Sequence, residues 1–181
     1  MLIGASTGGP GQIQKIISAL PTLEHTSVII AQHMVEGFLD SFTSRLQENT
    51  KNTIKIVKDE QLLEASTVYV CEGTLKLDSK KIFKQDTALS NSYNPDINTL
   101  FNSFVPLSQE YEILSVILTG IGSDGVEACK NLSNHGATCI TESQNSAIVD
   151  GMPSRARGTV PNIEIHDINE IINKIKDFCD V

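Results

Sequence analysis

Three residues in this chain carry side chains able to run acyl transfer, and each ends or follows an apolar run: the alcohol of Ser6, the imidazole of His33 and the carboxylate of Asp124. Ser6 lies in Gly4-Ala5-Ser6-Thr7-Gly8, which matches the G-x-S-x-G nucleophile elbow letter for letter. Glycines on both sides permit a sharp strand-to-helix turn that lifts the hydroxyl, and they leave the Thr7 N–H able to face a developing oxyanion. His33 ends the apolar run 28–33. Asp124 stands just past 116–120, after Gly120-Ile121-Gly122, where the Ile121 N–H is a second candidate donor to an oxyanion. A hydroxyl, an imidazole and a carboxylate on one edge of a sheet are the parts of a nucleophilic triad.

Each residue also has a plainer use. Residues 4–9 read G-x-S-x-x-G, one glycine short of the dinucleotide-binding fingerprint, with Ser6 where a pyrophosphate needs no side chain. A Walker A loop is excluded, because no G-K-[ST] follows. A simple glycine turn remains open. His33 can be a hydrogen-bonded strand-end residue, and Asp124 the N-cap or first-turn acid of the helix that follows it. Asp59 and Glu60 also follow a strand and compete with Asp124. The other histidines fall away from this edge: His25 precedes its strand, His135 ends a helix before a strand, and His166 reads as part of a late polar turn. Arg155 and Arg157, beside Met152-Pro153, are candidates for substrate contact, with plain solvated surface as the alternative.

Short apolar runs alternate with helix-period segments, the pattern of βαβ units around a parallel sheet. Strands are expected at 1–4, 27–33, 53–58, 112–120 and 137–141, and residues 67–85 read as a strand followed by a hairpin. Helices are expected at 11–20, 36–48, 95–104 (opening at Pro95), 124–134 (stopped by Gly136) and 167–179. A short helix and a loop around Met152-Pro153 fill 144–158. A small antiparallel hairpin is expected near 68–84, and residues 86–95 are polar and turn-rich. The expected class is α/β: three layers, with a mostly parallel Rossmann-like sheet flanked by helices. In such sheets ligands bind outside the carboxyl ends of the strands, where Ser6, His33 and Asp124 fall.

The 181 residues suit one domain with one sizeable core. Apolar residues make up 40% and charged residues 20%, the range of a soluble globular protein. A formal net charge of −8 argues against non-specific binding to nucleic acid or anionic membrane. No apolar run reaches the roughly 20 residues that span a bilayer, and Met1 leads straight into a core strand rather than a signal peptide. Four widely spaced cysteines form no C-x-x-C pair; Cys71 and Cys139 read as buried and reduced, so the expected location is cytoplasmic. No metal and no cofactor is expected, and the oligomeric state is not fixed by the sequence.

"IGASTGGP" (3–10), "AQHM" (31–34), "NPDINTLF" (94–101), "VILTGIGSDG" (116–125) and "GMP" (151–153) together resemble the catalytic domain of the chemotaxis receptor methylesterases (CheB). The resemblance covers nearly the whole chain. It implies an α/β domain with Ser6 as nucleophile, His33 as base and Asp124 as orienting acid, a chain order unlike the Ser, Asp/Glu, His of α/β-hydrolases. It further implies hydrolysis of glutamate methyl esters, and deamidation of some glutamines, on the cytoplasmic helices of methyl-accepting chemoreceptors. Departures from the family pattern are Cys71-Glu72-Gly73 for Ala-Pro-Gly, Tyr93 for a His, Asn98 for an Asp and Ile121 for a Met. A single catalytic domain over 1–181 is expected, with no receiver domain in this chain. The alternatives are a small-molecule serine esterase or amidase and a non-catalytic nucleotide-binding or chemosensory module.

Overall fold

Strands of four or five residues that are apolar on both faces need helices on both sides, and the chain supplies them. The computed structural model describes residues 1–35, 37–87 and 93–179. In chain order these form β1 (Leu2–Ala5), α1 (Gly9–Ala19), β2 (Val28–Gln32), α2 (Leu39–Gln47), β3 (Thr53–Val57), β4 (Gln61–Leu62), β5 (Thr67–Cys71), β6 (Leu75–Leu77), β7 (Ile82–Gln85), α3 (Ile97–Ser103), a 3-10 turn (Val105–Gln109), β8 (Leu114–Ile117), α4 (Val126–Asn134), β9 (Thr138–Glu142), α5 (Met152–Thr159), β10 (Glu164–His166) and α6 (Ile168–Cys179).

Among the described residues the main sheet has seven strands in the order β10-β9-β8-β1-β2-β5-β3, all parallel. The chain moves outward from β1 through β2, then restarts at β8 on the other side of β1. That reversal makes a topological switch point at the carboxyl ends of β1 and β8, the place where open parallel sheets ordinarily bind ligands. Alternate residues of each strand serve opposite layers. Ile3, Val28, Ile30, Val68, Val116 and Ile140 pack with Ile13, Ile17, Phe42, Leu46 and Ile171 of α1, α2 and α6. Leu2, Ile29, Ala31, Tyr69 and Ile117 pack with Leu100, Phe101, Leu132 and Ala156 of α3, α4 and α5. Truncating one of these buried aliphatic side chains to Ala costs about 2–5 kcal/mol.

The expected α/β class and parallel sheet are borne out, with several boundaries moved. α1 starts at Gly9 rather than 11, because Gly8 turns the chain at φ +83° and Pro10 sits in the first turn, where its missing N–H costs nothing. α3 begins at Ile97 behind an Asp96 cap whose carboxylate accepts from the Thr99 N–H, so Pro95 lies outside the helix. Met152-Pro153 open α5 instead of sitting in a loop. His166 is not in a turn but ends β10, a three-residue edge strand too short to register as a pattern. Of the stretch near 68–84, residues 67–71 join the parallel sheet; the antiparallel part is β6–β7, widened by the two residues of β4. The expected turn-rich segment 86–95 falls partly outside the described residues, as does Glu36 of the expected 36–48 helix. Among the described residues no helix is long and apolar enough to cross a membrane.

Two close approaches fix the packing at this edge. Gly4 and Gly125 flank Ile97: a Cβ on either would stand 2.8 Å or 2.6 Å from its Cγ2. Gly9 abuts β1 and β2, where a Cβ would stand 2.7 Å from the Ala5 Cβ and 2.0 Å from Gln32 Oε1. Gly→Ala in a helix ordinarily stabilises by up to about 1 kcal/mol. At Gly9 the sign should reverse, since the strand cannot yield: Gly9→Ala is expected to lose about 1–3 kcal/mol in urea unfolding, while Gly11→Ala, with open space around it, should lose nothing.

Candidate active site

Parallel pairing brings the first two site residues together. β1 and β2 are in register through Ala5 and Gln32, so Ser6 and His33 are the next residues of adjacent strands, whose spacing is about 4.8 Å. The His33 N–H donates to Ala5 O at 3.0 Å. One buried side chain ties both strand ends: Gln32 Nε2 donates to Ser6 O at 2.9 Å and to His33 O at 2.7 Å. Among the described residues its Oε1 has no hydrogen-bond partner, and it faces Gly9.

His33 Nε2 lies 2.7 Å from Asp124 Oδ2, although 91 residues separate them in sequence. The Asp124 side chain is fully buried and that of His33 13% exposed. Asp124 does not cap α4, the helix it precedes; Gly125 occupies that position. Its carboxylate instead accepts from the first amides of α3: Ile97 N–H to Oδ2 at 2.8 Å and Asn98 N–H to Oδ1 at 2.9 Å. Ile97, seated between Gly4 and Gly125, holds those amides in place, and Asn98 Oδ1 joins α3 to α4 by accepting from the Ala128 N–H. A carboxylate accepts hydrogen bonds, so the contact makes Nε2 the donor edge of the imidazole and leaves Nδ1 as its other edge.

Asp59, the rival acid, is turned away: it is exposed and accepts from the Gln85 N–H at 2.8 Å. Glu60 pairs with Lys84. Ser6 is half-buried, and its hydroxyl makes no hydrogen bond to a described residue. Hydrogen bonds between nucleophile and base often tighten only when substrate binds.

The turn that carries Ser6 is clamped from β8. Thr119 O accepts from the Ser6 N–H at 3.0 Å, and Thr119 Oγ1 donates to Thr7 O at 2.9 Å. The Thr119 N–H donates to Glu142, a buried carboxylate that also accepts from Gln12 and Ser146. Gly120 lies flat against Ser6: a Cβ there would stand 2.7 Å from that of Ser6 and 2.4 Å from Met152 Sδ. Gly151 backs the same turn, where a Cβ would meet Gly120 O at 2.6 Å. Among the described residues neither the Thr7 N–H nor the Ile121 N–H has an acceptor. Gln32, Thr119 and Glu142 are the participants that sequence reasoning missed. Their signal was a polar residue within or just beyond a buried strand.

The two arginines divide. Arg157 is engaged, its guanidinium donating to Asp150 Oδ2 at 2.6 Å and to Glu142 O at 3.0 Å. Arg155 is exposed, without an ion pair to any described residue. His25 is exposed, His135 bonds Asn131 O, and His166 lies between Glu164 and Glu170. Beside His33 a groove of about 430 Å³ is lined by Gln32, Met34, Val35, Cys71, Gly73 and Pro95. A cavity of about 440 Å³ at the opposite, amino ends of the strands, lined by Met1, His25 and Ile113, lies away from this chemistry. All four cysteines are buried, Cys71, Cys129 and Cys139 outside any disulfide, and burial pushes the Cys71 thiol well up from its ordinary range. Among the described residues no three His, Cys, Asp or Glu side chains converge as a metal site requires.

A family model described as CheB methylesterase matches residues 1–175. The chain belongs to the CheB methylesterase family. It is 34% identical over 186 residues to the protein-glutamate methylesterase/protein-glutamine glutaminase 2 of Carboxydothermus hydrogenoformans, covering 98% of this chain and 52% of that protein. It is 33% identical over 183 residues to the protein-glutamate methylesterase/protein-glutamine glutaminase of Bacillus licheniformis, covering 97% and 51%. The chain thus spans about half the length of the curated relatives it matches. Its fold is similar to the crystal structure of the Thermotoga maritima CheB methylesterase catalytic domain, with a TM-score of 0.85 at 26% identity over 98% of this chain and 96% of that one.

The two carboxylates should differ in stability tests. Asp124→Ala leaves a buried and a part-buried amide of this CheB-family domain without their acceptor and is expected to cost about 2 kcal/mol or more in urea unfolding, against under about 1 kcal/mol for Asp59→Ala.

Proposed function

We propose that this chain hydrolyses glutamate methyl esters on chemoreceptor cytoplasmic domains, with Ser6 as nucleophile, His33 as general base and Asp124 as orienting acid. The observation that carries the reading is the 2.7 Å bond from His33 to a fully buried Asp124, at the strand end adjoining Ser6. Membership of a family whose curated relatives are named protein-glutamate methylesterases supports the choice of substrate class.

The chemistry follows from the atoms. Ser6 Oγ attacks the ester carbonyl carbon as His33 Nδ1 takes its proton. The carbonyl π pair moves to oxygen, and the oxyanion faces the Thr7 and Ile121 N–H groups. Each such donor is worth about 3 kcal/mol. The intermediate collapses, the C–O bond to methoxide breaks, and the imidazolium returns the proton to give methanol and a glutamyl-Ser6 ester. Water, deprotonated by His33, attacks that ester; Ser6 leaves with the proton and the product is a glutamate carboxylate. With glutamine the same steps release ammonia. Asp124 keeps its charge throughout and stabilises the imidazolium. No step here draws on a metal or cofactor.

Charge favours turnover on a protein substrate. The formal charge of −8 repels a product that has just gained a carboxylate. Val35, Phe38, Ile121 and Ile148 are exposed apolar side chains around the same rim, a surface fit for a protein partner. Arg155 is the cation left to meet an acidic receptor, Arg157 being held by Asp150.

Methanol release from methylated receptor membranes tests the assignment. Ser6→Ala should abolish it, Asp124→Asn should lower kcat by about 10³–10⁴-fold, and Asp59→Asn should leave it unchanged. Release that survives Asp124→Asn and disappears in Asp59→Asn would overturn the choice of acid. Arg155→Glu should raise KM for receptor without altering turnover of a small ester; an unchanged KM would remove Arg155 from the receptor contact.

A further inference from the structure

A single hydrogen bond fixes one edge of an imidazole but not its plane. Held only at Nε2, His33 could tip about the line to Asp124 and carry Nδ1 away from Ser6. A second ring removes that freedom. Tyr93 lies face to face with His33, the centroids 4.9 Å apart and the planes within 10°. The other end of the phenol rests on Gly122: a Cβ there would stand 2.8 Å from Tyr93 Oη and 3.6 Å from Cζ. Gly122 also takes φ +88°, so glycine at this position satisfies the turn and vacates the seat.

We propose that Tyr93 is a positioning residue for His33, acting through its ring, with Gly122 as the seat that allows it. The proposal rests on the reading of His33 as the base for Ser6. The ring covers one face of the imidazole and, together with Asp124, leaves the Nδ1 edge as the reactive one. The contact also moves with the reaction. When His33 accepts the Ser6 proton it becomes a cation lying against an aromatic face, an attraction the neutral ring lacks. The hydroxyl contributes nothing to this effect, so Phe should replace Tyr and an aliphatic residue should not.

The test compares wild type, Tyr93→Phe and Tyr93→Leu in two measurements. In NMR, the His33 ring protons, assigned with His33→Gln, should be shifted upfield by the Tyr93 ring current in wild type and Tyr93→Phe, and lose that shift in Tyr93→Leu. In kinetics, the rate of labelling by an alkyl fluorophosphonate and kcat for p-nitrophenyl acetate should fall about tenfold in Tyr93→Leu, with KM within about twofold, and stay within about twofold in Tyr93→Phe. Labelling of Tyr93→Leu at the wild-type rate, an effect on KM alone, or Tyr93→Phe as slow as Tyr93→Leu would each overturn the proposal. A wild type that shows the ring-current shift yet never labels would overturn the serine-nucleophile reading and this proposal with it, a result distinct from a labelled wild type and an indifferent Tyr93→Leu.

Discussion

The structure is organised around one buried anion. Asp124 is removed from water and must be compensated, and the compensation comes from three donors: two amides at the start of α3 and the imidazole of His33. Supplying them requires α3 to begin against β1 and the α4 turn, and Gly4 and Gly125 are what let Ile97 bring it there. A carboxylate in this setting has fixed orientation, and a fixed acceptor sets the tautomer of the imidazole. The sheet then does the remaining work, because parallel register places Ser6 and His33 at neighbouring strand ends.

Around that carboxylate the fold stiffens the turn that carries Ser6 rather than the Ser6 side chain itself. Gln32 grips the carbonyls of Ser6 and His33, Thr119 takes the Ser6 N–H, and Gly120 lies against the Ser6 Cβ. The Ser6 hydroxyl is left unpartnered among the described residues, as is the Thr7 N–H. This matches the division of labour in acyl transfer, where backbone donors must be preorganised while the attacking oxygen exchanges partners during reaction.

Much of this was legible in the sequence because it is local. The glycine spacing around Ser6, the apolar run into His33 and the Gly-rich exit before Asp124 each put one residue on the same rim, and periodicity alone was enough to expect a parallel α/β sheet. What stayed hidden depends on contacts between distant segments. Asp124 sits where a helix-capping acid belongs, yet its carboxylate accepts from the first amides of α3, a helix that starts 27 residues upstream, and local pattern carries no sign of that. Gln32 reads as one polar residue in a strand, and its grip on both strand ends needs the register to be known. Tyr93 was visible only as a departure from the family pattern; its stack on His33 is a tertiary fact. Met152-Pro153 suggested a loop because a proline after an apolar residue fits a break and a first helical turn equally well.

The claim that joins these observations is that Ser6 is the attacking atom and that the Asp124–His33 pair activates it. Mass spectrometry of the intact domain and its peptides, after timed exposure of wild type and Asp124→Asn to an alkyl fluorophosphonate, reads both halves at once. A single adduct on Ser6, formed in wild type and slowed by orders of magnitude in Asp124→Asn, is the predicted result. An adduct on another residue, no adduct at all, or labelling of Ser6 at the same rate in both proteins would contradict it.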